Sequence, residues 1–290
     1  MEVKKAIIPM AGLATRFLPL SKIVPKELWP LVDKPMVQYI IEEAKNSGIK
    51  EIIFVIKPKE KAIFNYLKPS SKIEKELKEK KKDKILEEVK ILEEDLKDIS
   101  FSFVYQKKAM GDGHAVLQAQ KKVKNEAIAC LFADDIVFSQ VPCISQLEKV
   151  FRTCQKPVMA LSRQAKDRLH FYGVVDVEKI ANRFYKIKDI IEKPETGKAP
   201  SELAVVGKYI LTPEFFDYLK KAKPTFRGEI ILANTFEKML KDGKLIYGYE
   251  FEGKWLECGN KLEWLKSNIY LGLKHPQFGS ELKNFLKENS

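Results

Sequence analysis

Long apolar runs are missing from this chain: no stretch of its 290 residues approaches the roughly 18 that a membrane span requires. Met1-Glu2-Val3-Lys4-Lys5 leads straight into an apolar strand and lacks the pattern of a signal peptide, so a soluble, cytoplasmic protein with no membrane partner is expected. Cysteine is scarce. Cys130, Cys143, Cys154 and Cys258 show neither a C-x-x-C pair nor a zinc spacing, which points to reduced thiols and no disulfide framework. The G-x-x-x-x-G-K-[ST] loop is absent, and the turn after the first strand lacks G-x-G-x-x-G. The second strand ends in Ile56-Lys57, with no acid for a ribose hydroxyl. A kinase-like NTPase and a dehydrogenase are therefore unsupported. No Ser–His–Asp or Cys–His motif for covalent catalysis is found.

What is there belongs to a globular protein: 45% of the residues are hydrophobic and only 14 are glycine. The length suits a single α/β domain with elaborations. The net charge of +12 invites a nucleic-acid reading. Yet the densest charge run, Lys72 to Lys97, sets nine lysines against nine acids and contributes nothing net. The excess is scattered lysine, which steers small phosphorylated ligands as readily as nucleic acid, so no nucleic-acid partner is expected.

Apolar runs at Ile52 to Ile56, Phe101 to Tyr105, Ala127 to Phe132 and Val158 to Leu161 alternate with helix-like patterns at Met36 to Asn46, Ala115 to Lys122 and Ile144 to Phe151. Such alternation predicts βαβ units. The fold class is α/β, a Rossmann-like nucleotide-binding mixed sheet flanked by helices. After Tyr172 come strand-rich segments at Tyr172 to Val177, Phe184 to Ile191 and Leu203 to Ile210, then helices from Pro213, Ile230 and Lys261. One domain, residues 1–290, is expected, with a nucleotide-binding part at about 1–165 and a second, strand-rich part at about 166–290. Within Lys72 to Lys97, an apolar stripe of Ile85, Val89, Leu92 and Leu96 predicts a solvated helix or helix pair.

The segment Lys5 to Pro35 carries the most chemistry. An apolar strand, Ala6 to Pro9, runs into a small-residue turn at Ala11, Gly12 and Ala14, followed by Arg16 and then Lys26 between Pro25 and Glu27. Small residues let backbone N–H groups approach an oxyanion, and the two cations suit several phosphate oxygens. A polyphosphate pocket is implied. Asp134 and Asp135 close another strand at the carboxyl edge of the sheet, where ligands of open α/β folds bind. As hard oxygen donors facing a phosphate pocket they suit Mg²⁺; by themselves they serve equally well as turn formers.

The Lys5 to Pro35 segment resembles the loop G-x-G-T-R-x-x-P-x-x-K-x-x-P-K of sugar-1-phosphate nucleotidyltransferases. With Pro25-Lys26-Glu27 and Asp33-Lys34-Pro35 it is most similar to bacterial uridylyltransferases acting on UTP and glucose 1-phosphate. The likeness extends over nearly the whole chain. It implies that Ala11 and Gly12 hold the nucleotide, that Arg16 and Lys26 act on its phosphates, and that Gln106 reads the uracil edge with backbone help at Gly111. It further implies that Asp134 is a metal ligand, that Gly173 and Glu192 contact sugar hydroxyls, and that Lys193 pairs with the sugar phosphate. Glu257, in Trp255 to Lys261, takes the place of the family's second metal-ligating Asp. The cofactor so implied is Mg²⁺.

Several positions depart from the family pattern. Ala14 replaces a second glycine, so either its torsion accepts a Cβ or binding is weakened. Trp29 is bulkier than expected. Asp112 stands where the family is apolar, Ile231, Ala233 and Asn234 replace Gln, Thr and Asp, and Glu229 survives as the expected acid. The resemblance implies transfer of a uridylyl group from UTP to glucose 1-phosphate, giving UDP-glucose and pyrophosphate. The alternatives are a related enzyme using dTTP or another sugar 1-phosphate, and a catalytically weak nucleotide-binding paralogue. A glycosyltransferase would want D-x-D, which Asp134-Asp135-Ile136-Val137 lacks. The pattern from Leu262 to Leu273 offers a subunit-contact helix, and a homo-oligomer is expected.

Overall fold

The computed structural model describes residues 2–289. Its strands, in chain order, are β1 (Lys5–Pro9), β2 (Pro30–Leu31), β3 (Lys34–Pro35), β4 (Glu51–Ile56), β5 (Ser100–Tyr105), β6 (Ile128–Leu131), β7 (Asp135–Phe138), β8 (Val158–Arg163), β9 (Gly173–Ala181), β10 (Phe184–Glu192), β11 (Leu203–Leu211), β12 (Tyr247–Glu250) and β13 (Lys254–Glu257). Nine of them form one mixed sheet in the order β5-β4-β1-β6-β11-β8-β12-β10-β9. The first four are mutually parallel, as the βαβ alternation predicts, and β11 then runs antiparallel to both β6 and β8. The strand-rich second part thus extends the sheet of the first.

Burial explains why the central strands read as continuous apolar runs. Both faces of the sheet are covered, so consecutive residues alternate between two cores: Ala6, Ile8, Ile52, Phe54 and Ile56 face one, and Ile7, Ile53 and Val55 the other. The helix Met36–Asn46 closes the first core with Met36, Val37, Ile40, Ile41 and Ala44, the spacing of one helical face. Each fully buried Ile in that face contributes roughly 2 kcal/mol.

Three local outcomes differ from the sequence pattern. The charged segment forms two helices, Ser71–Glu79 and Asp83–Leu96, but the buried stripe of the second starts at Leu86; Ile85 is 48% exposed. A helix can present either of two adjacent apolar residues, and here Leu86, with Leu96, turns to the body of the protein. The helix expected from Ile230 begins instead at Leu232, because Ile230 N–H donates to Met110 O in an extended contact. Trp29, unexpectedly bulky, is buried edge-on between Phe17 and Trp264, at centroid distances of 4.6 and 5.5 Å.

Beneath the sheet, Lys208 on β11 is fully buried, with its Nζ 2.8 Å from Glu43 Oε2 and no aligned hydrogen bond on it, so the contact is chiefly coulombic. Glu43 Oε1 accepts from Ile144 N–H at 3.2 Å, at the start of the helix Cys143–Cys154. Breaking one side of a buried pair leaves a charge without compensation. Lys208→Met is expected to lower the unfolding free energy by about 3–5 kcal/mol in denaturant titrations, and Lys208→Met/Glu43→Gln to recover much of the loss. A single-variant loss under about 1 kcal/mol would show that the pair is not buried in solution.

Candidate active site

β1 is flanked by β4 on one side and β6 on the other, so successive connections diverge at its carboxyl end and open a crevice there. Met10 N–H still donates to Val55 O at 2.8 Å, after which the backbone leaves the sheet. Ala11, Gly12, Ala14 and Thr15 then line a cavity of about 350 Å³ that also takes in Lys26, Gln106, Gly111, Asp134 and Glu229. Six residues expected to act on the nucleotide and its metal, Ala11, Gly12, Lys26, Gln106, Gly111 and Asp134, meet here from four separate segments. Ala14 has φ 49° and ψ 44°, the left-handed region. A Cβ is tolerated there at a cost of about 1 kcal/mol, and Ser21 Oγ donates to Ala14 O at 3.0 Å and supports the turn.

Lys26 and Asp134 form a short ion pair through Nζ and Oδ2, with both side chains about four-fifths buried. Burial pulls the Lys26 ammonium down, but Asp134, with Glu27 and Asp135, holds it above its usual range. Burial likewise opposes ionisation of Asp134, and the Lys26 charge, aided by Arg16, overcomes it and keeps that carboxyl below its usual range. Glu27 is 4% exposed, and burial pushes its carboxyl up to about 7 against the pull of Lys26. Burial and the neighbouring Asp134 push Asp135 up to about 7 as well.

Asp135 is the structural half of its pair. Its Oδ1 accepts from Trp255 Nε1 at 2.8 Å and its Oδ2 from Gly207 N–H at 3.1 Å. β7 pairs antiparallel with β13 in a register that sets Glu257 opposite Asp135, and Cys258 N–H donates to Asp134 O at 2.7 Å. This pairing brings Glu257 beside Asp134 across more than a hundred residues of chain. At Gly259 a Cβ would sit 3.4 Å from Asp134 Oδ2, 3.6 Å from Glu257 Oε1 and 3.7 Å from Arg16 Nη1. The space that glycine leaves is faced by two carboxylate oxygens, one from the turn before β7 and one from β13. Among the described residues no group of three or more His, Cys, Asp or Glu forms a metal cage. Two carboxylates beside the small-residue turn nevertheless fit Mg²⁺, which takes few protein ligands and completes its shell with other oxygens and water.

The extra methylene of Glu257 is accommodated by tying its other oxygen back. Oε2 accepts from Tyr172 Oη at 2.7 Å and from Arg168 Nη2 at 3.3 Å. Nothing in the motif pattern pointed to Arg168. Gln106 is buried, and its Nε2 donates to Gly111 O at 3.0 Å and lies 2.9 Å from His114 Nδ1. Burial lowers the His114 pKa, which favours the neutral ring and an accepting Nδ1. With its amide nitrogen so held, Gln106 has a carbonyl that no hydrogen bond reaches among the described residues. Gly111 has φ +92°, and a Cβ there would collide with Ile230 O, so only glycine fits.

A second cavity of about 190 Å³ adjoins the first; Asp112 and Phe132 line both. It gathers Gly173, Glu192, Asp135, Gly207 and Ala233. Lys193 lies beside this cavity with φ 50°, its Nζ 2.9 Å from Glu192 Oε1 and its side chain half exposed. Asp112, without an expected purpose, accepts from Leu232 N–H at 3.0 Å and so caps the helix Leu232–Lys241, whose own preceding residue, Ile231, has no side chain for that task. Asn234 lines a different cleft, between that helix and Pro213–Lys221, and its departure from the family pattern does not fall on either cavity.

A small-residue turn at the switch point of an open mixed sheet, with paired acids after the adjoining strand β6, has the layout of a nucleotide-binding α/β protein. The chain matches the nucleotidyl transferase family over residues 5–270 and belongs to that family. It is 42% identical over 287 residues to the UTP–glucose-1-phosphate uridylyltransferase of Staphylococcus haemolyticus, covering 99% of this chain and 98% of that one. Among solved structures it is similar to a UTP-bound UGPase from Acinetobacter baumannii, with TM-score 0.90, 34% identity and coverage of 99% of this chain and 100% of that chain. A UDP-glucose pyrophosphorylase complexed with UDP-glucose matches with TM-score 0.84 and 33% identity, over 94% of this chain and 100% of that one.

The buried Glu27 generates a pH signature. Its folded pKa, about 7, lies above the ordinary value of 4.5, so between these values the folded state binds more protons than the unfolded one. Stability from this group is fully present below about 4.5 and is lost as pH rises through 7. Glu27→Gln removes that loss. In thermal melts the variant is expected to gain on the parent between pH 5 and pH 8, by on the order of 3 kcal/mol in unfolding free energy. A difference between variant and parent that does not change across this range would place an ionised Glu27 in the folded protein at low pH.

Proposed function

We propose that the chain transfers the uridylyl group of UTP to glucose 1-phosphate, forming UDP-glucose and releasing pyrophosphate. The observation that carries the reading is the pair of adjoining cavities. One holds the small-residue turn, Lys26, Asp134 and Gln106; the other holds Gly173 and Glu192; and they share a wall. The names of the similar proteins support the same substrates. In this reading the nucleotide-binding part spans about residues 1–165 and the sugar-binding and C-terminal part about 166–290, in a cytoplasmic protein; among the described residues no helix is long and apolar enough to cross a membrane.

The sugar phosphate oxygen is anionic near neutral pH and needs no general base. It attacks the α-phosphorus of UTP, the bond to the bridging oxygen of the β-phosphate breaks, and the electron pair leaves with pyrophosphate. What this chain's residues do is align two polyanions that repel each other. Ala11 and Gly12 bring backbone N–H groups to the triphosphate, Arg16 and Lys26 offset its charge, and Lys193 draws in the sugar phosphate. The Gln106 carbonyl accepts from the imide N–H of uracil, and Glu192 accepts from sugar hydroxyls. Asp134 and Glu257 would hold Mg²⁺, which neutralises phosphate charge when bound.

With glucose 1-phosphate, pyrophosphate release is expected to be faster with UTP than with ATP or GTP; dTTP is the closest competitor, since Gln106 does not separate uracil from thymine. Gln106→Ala should weaken UTP by about 1–3 kcal/mol in apparent binding. No turnover with UTP and any hexose 1-phosphate would overturn the assignment in favour of a nucleotide-binding paralogue. Asp134→Ala should nearly abolish turnover, while Glu257→Asp retains it; a Glu257→Ala enzyme with parental rate and parental Mg²⁺ dependence would remove Glu257 from the metal site.

The helix Lys261–Lys274 supports a homo-oligomer, because Leu262, Leu265, Ile269 and Leu273 remain exposed along it. Sedimentation velocity should find a dimer or larger assembly that Ile269→Glu dissociates; a monomeric parent would refute this.

A further inference from the structure

We propose that Asp112 is a specificity-determining residue for the sugar substrate, accepting a hydrogen bond from a hexose hydroxyl through its Oδ2. This rests on the uridylyl-transfer reading above. Asp112 opens the helix Asp112–Gln118 and lies in the wall common to both cavities. Its two oxygens are not equivalent. Oδ1 accepts from Gly113 N–H at 2.6 Å and from Leu232 N–H at 3.0 Å, which locks the carboxylate plane. No hydrogen bond reaches Oδ2 among the described residues. Capping the helix Leu232–Lys241 therefore accounts for one oxygen and leaves the other as an oriented acceptor at the cavity wall.

The chemistry of the second cavity selects the ligand group. Glu192 faces the same space and acts electrostatically on Asp112, and Asp135 borders it too, so three carboxyl groups line one small volume, of which Asp135 already has both oxygens bonded. A phosphate there is repelled by the ionised Asp112 and Glu192. A polyol is suited to it, because ionised carboxylates only accept hydrogen bonds and hydroxyls supply the donors. A ribose hydroxyl carries the same chemistry, since Asp112 also borders the first cavity. The hexose is favoured because Gly173 and Glu192, which contact sugar hydroxyls in the proposed reading, share the second cavity with Asp112. An apolar residue at this position offers contact area without an acceptor, so the carboxylate makes this site discriminate among hexoses by hydroxyl pattern.

The test measures kcat/KM for glucose 1-phosphate and its 2-, 3-, 4- and 6-deoxy analogues with UTP, for the parent, Asp112→Leu and Asp112→Asn. The parent should reject one deoxy analogue by about tenfold or more, because the missing hydroxyl leaves a desolvated acceptor unpaired. Asp112→Leu should bring that ratio close to one. Asp112→Asn keeps an oxygen for the two backbone N–H groups, so it should melt with the parent while losing part of the discrimination, and it decides the matter if the Leu variant does not fold. Retention of the parent's full discrimination in the variants would reduce Asp112 to a helix cap and overturn the proposal. So would lost discrimination between UTP and 2′-deoxy-UTP with the hexose pattern intact. A parent without turnover on any hexose 1-phosphate overturns the uridylyl-transfer reading itself, and this proposal with it.

Discussion

Asp135 is a partly buried carboxylate, and a carboxylate withdrawn from water is costly unless its oxygens are bonded. Trp255 Nε1 and Gly207 N–H bond them, from β13 and β11. That demand draws together three strands remote in sequence. Gly207 is part of the solution, since a Cβ there would collide with Asp135 Oδ2. Once β7 is pinned, its register with β13 places Glu257 near Asp134, and Cys258 N–H closes onto Asp134 O. The acidic side of the site follows from one satisfied carboxylate that stands apart from the gap at Gly259, which Asp134 and Glu257 face.

Charge on the other side of the cavity is organised by Lys26. Its ion pair with Asp134 holds both groups ionised in a setting that would otherwise neutralise them. A group held in place before substrate arrives needs little reorganisation when charge shifts on a transferring phosphoryl group, which is the advantage of electrostatic preorganisation. Arg16 is exposed yet reaches the same space near Gly259, so a planar fork and a point charge approach it from different directions. Glu27, protonated over much of the acidic range, lets Lys26 stay committed to Asp134.

Four of the departures from the family pattern have separate local explanations. Ala14 adopts the left-handed torsion and accepts a small strain. Trp29 fills an aromatic stack with Phe17 and Trp264. The length of Glu257 is absorbed by Tyr172 and Arg168, which leave one oxygen toward Asp134. Asn234 lines a cleft away from both cavities. None of these four blocks the paired cavities.

The sequence by itself determined the α/β alternation, because apolar runs buried on both faces of a sheet leave a continuous signature, and it determined the small-residue turn after β1, because Ala11 to Lys26 is a local pattern. The helix Met36–Asn46 and the strands from Ile52, Phe101 and Val158 were legible for the same reason. Asp134 and Gln106 were legible as residues at strand ends. What tertiary structure decided were the partners: Arg168 and Tyr172 on Glu257, His114 on Gln106, Lys208 under Glu43, and Asp112 capping a helix 120 positions away. Hydrogen bonds and ion pairs depend on separations of about 3 Å between atoms, and chain pattern encodes periodicity along one element but not which atoms of two distant elements meet.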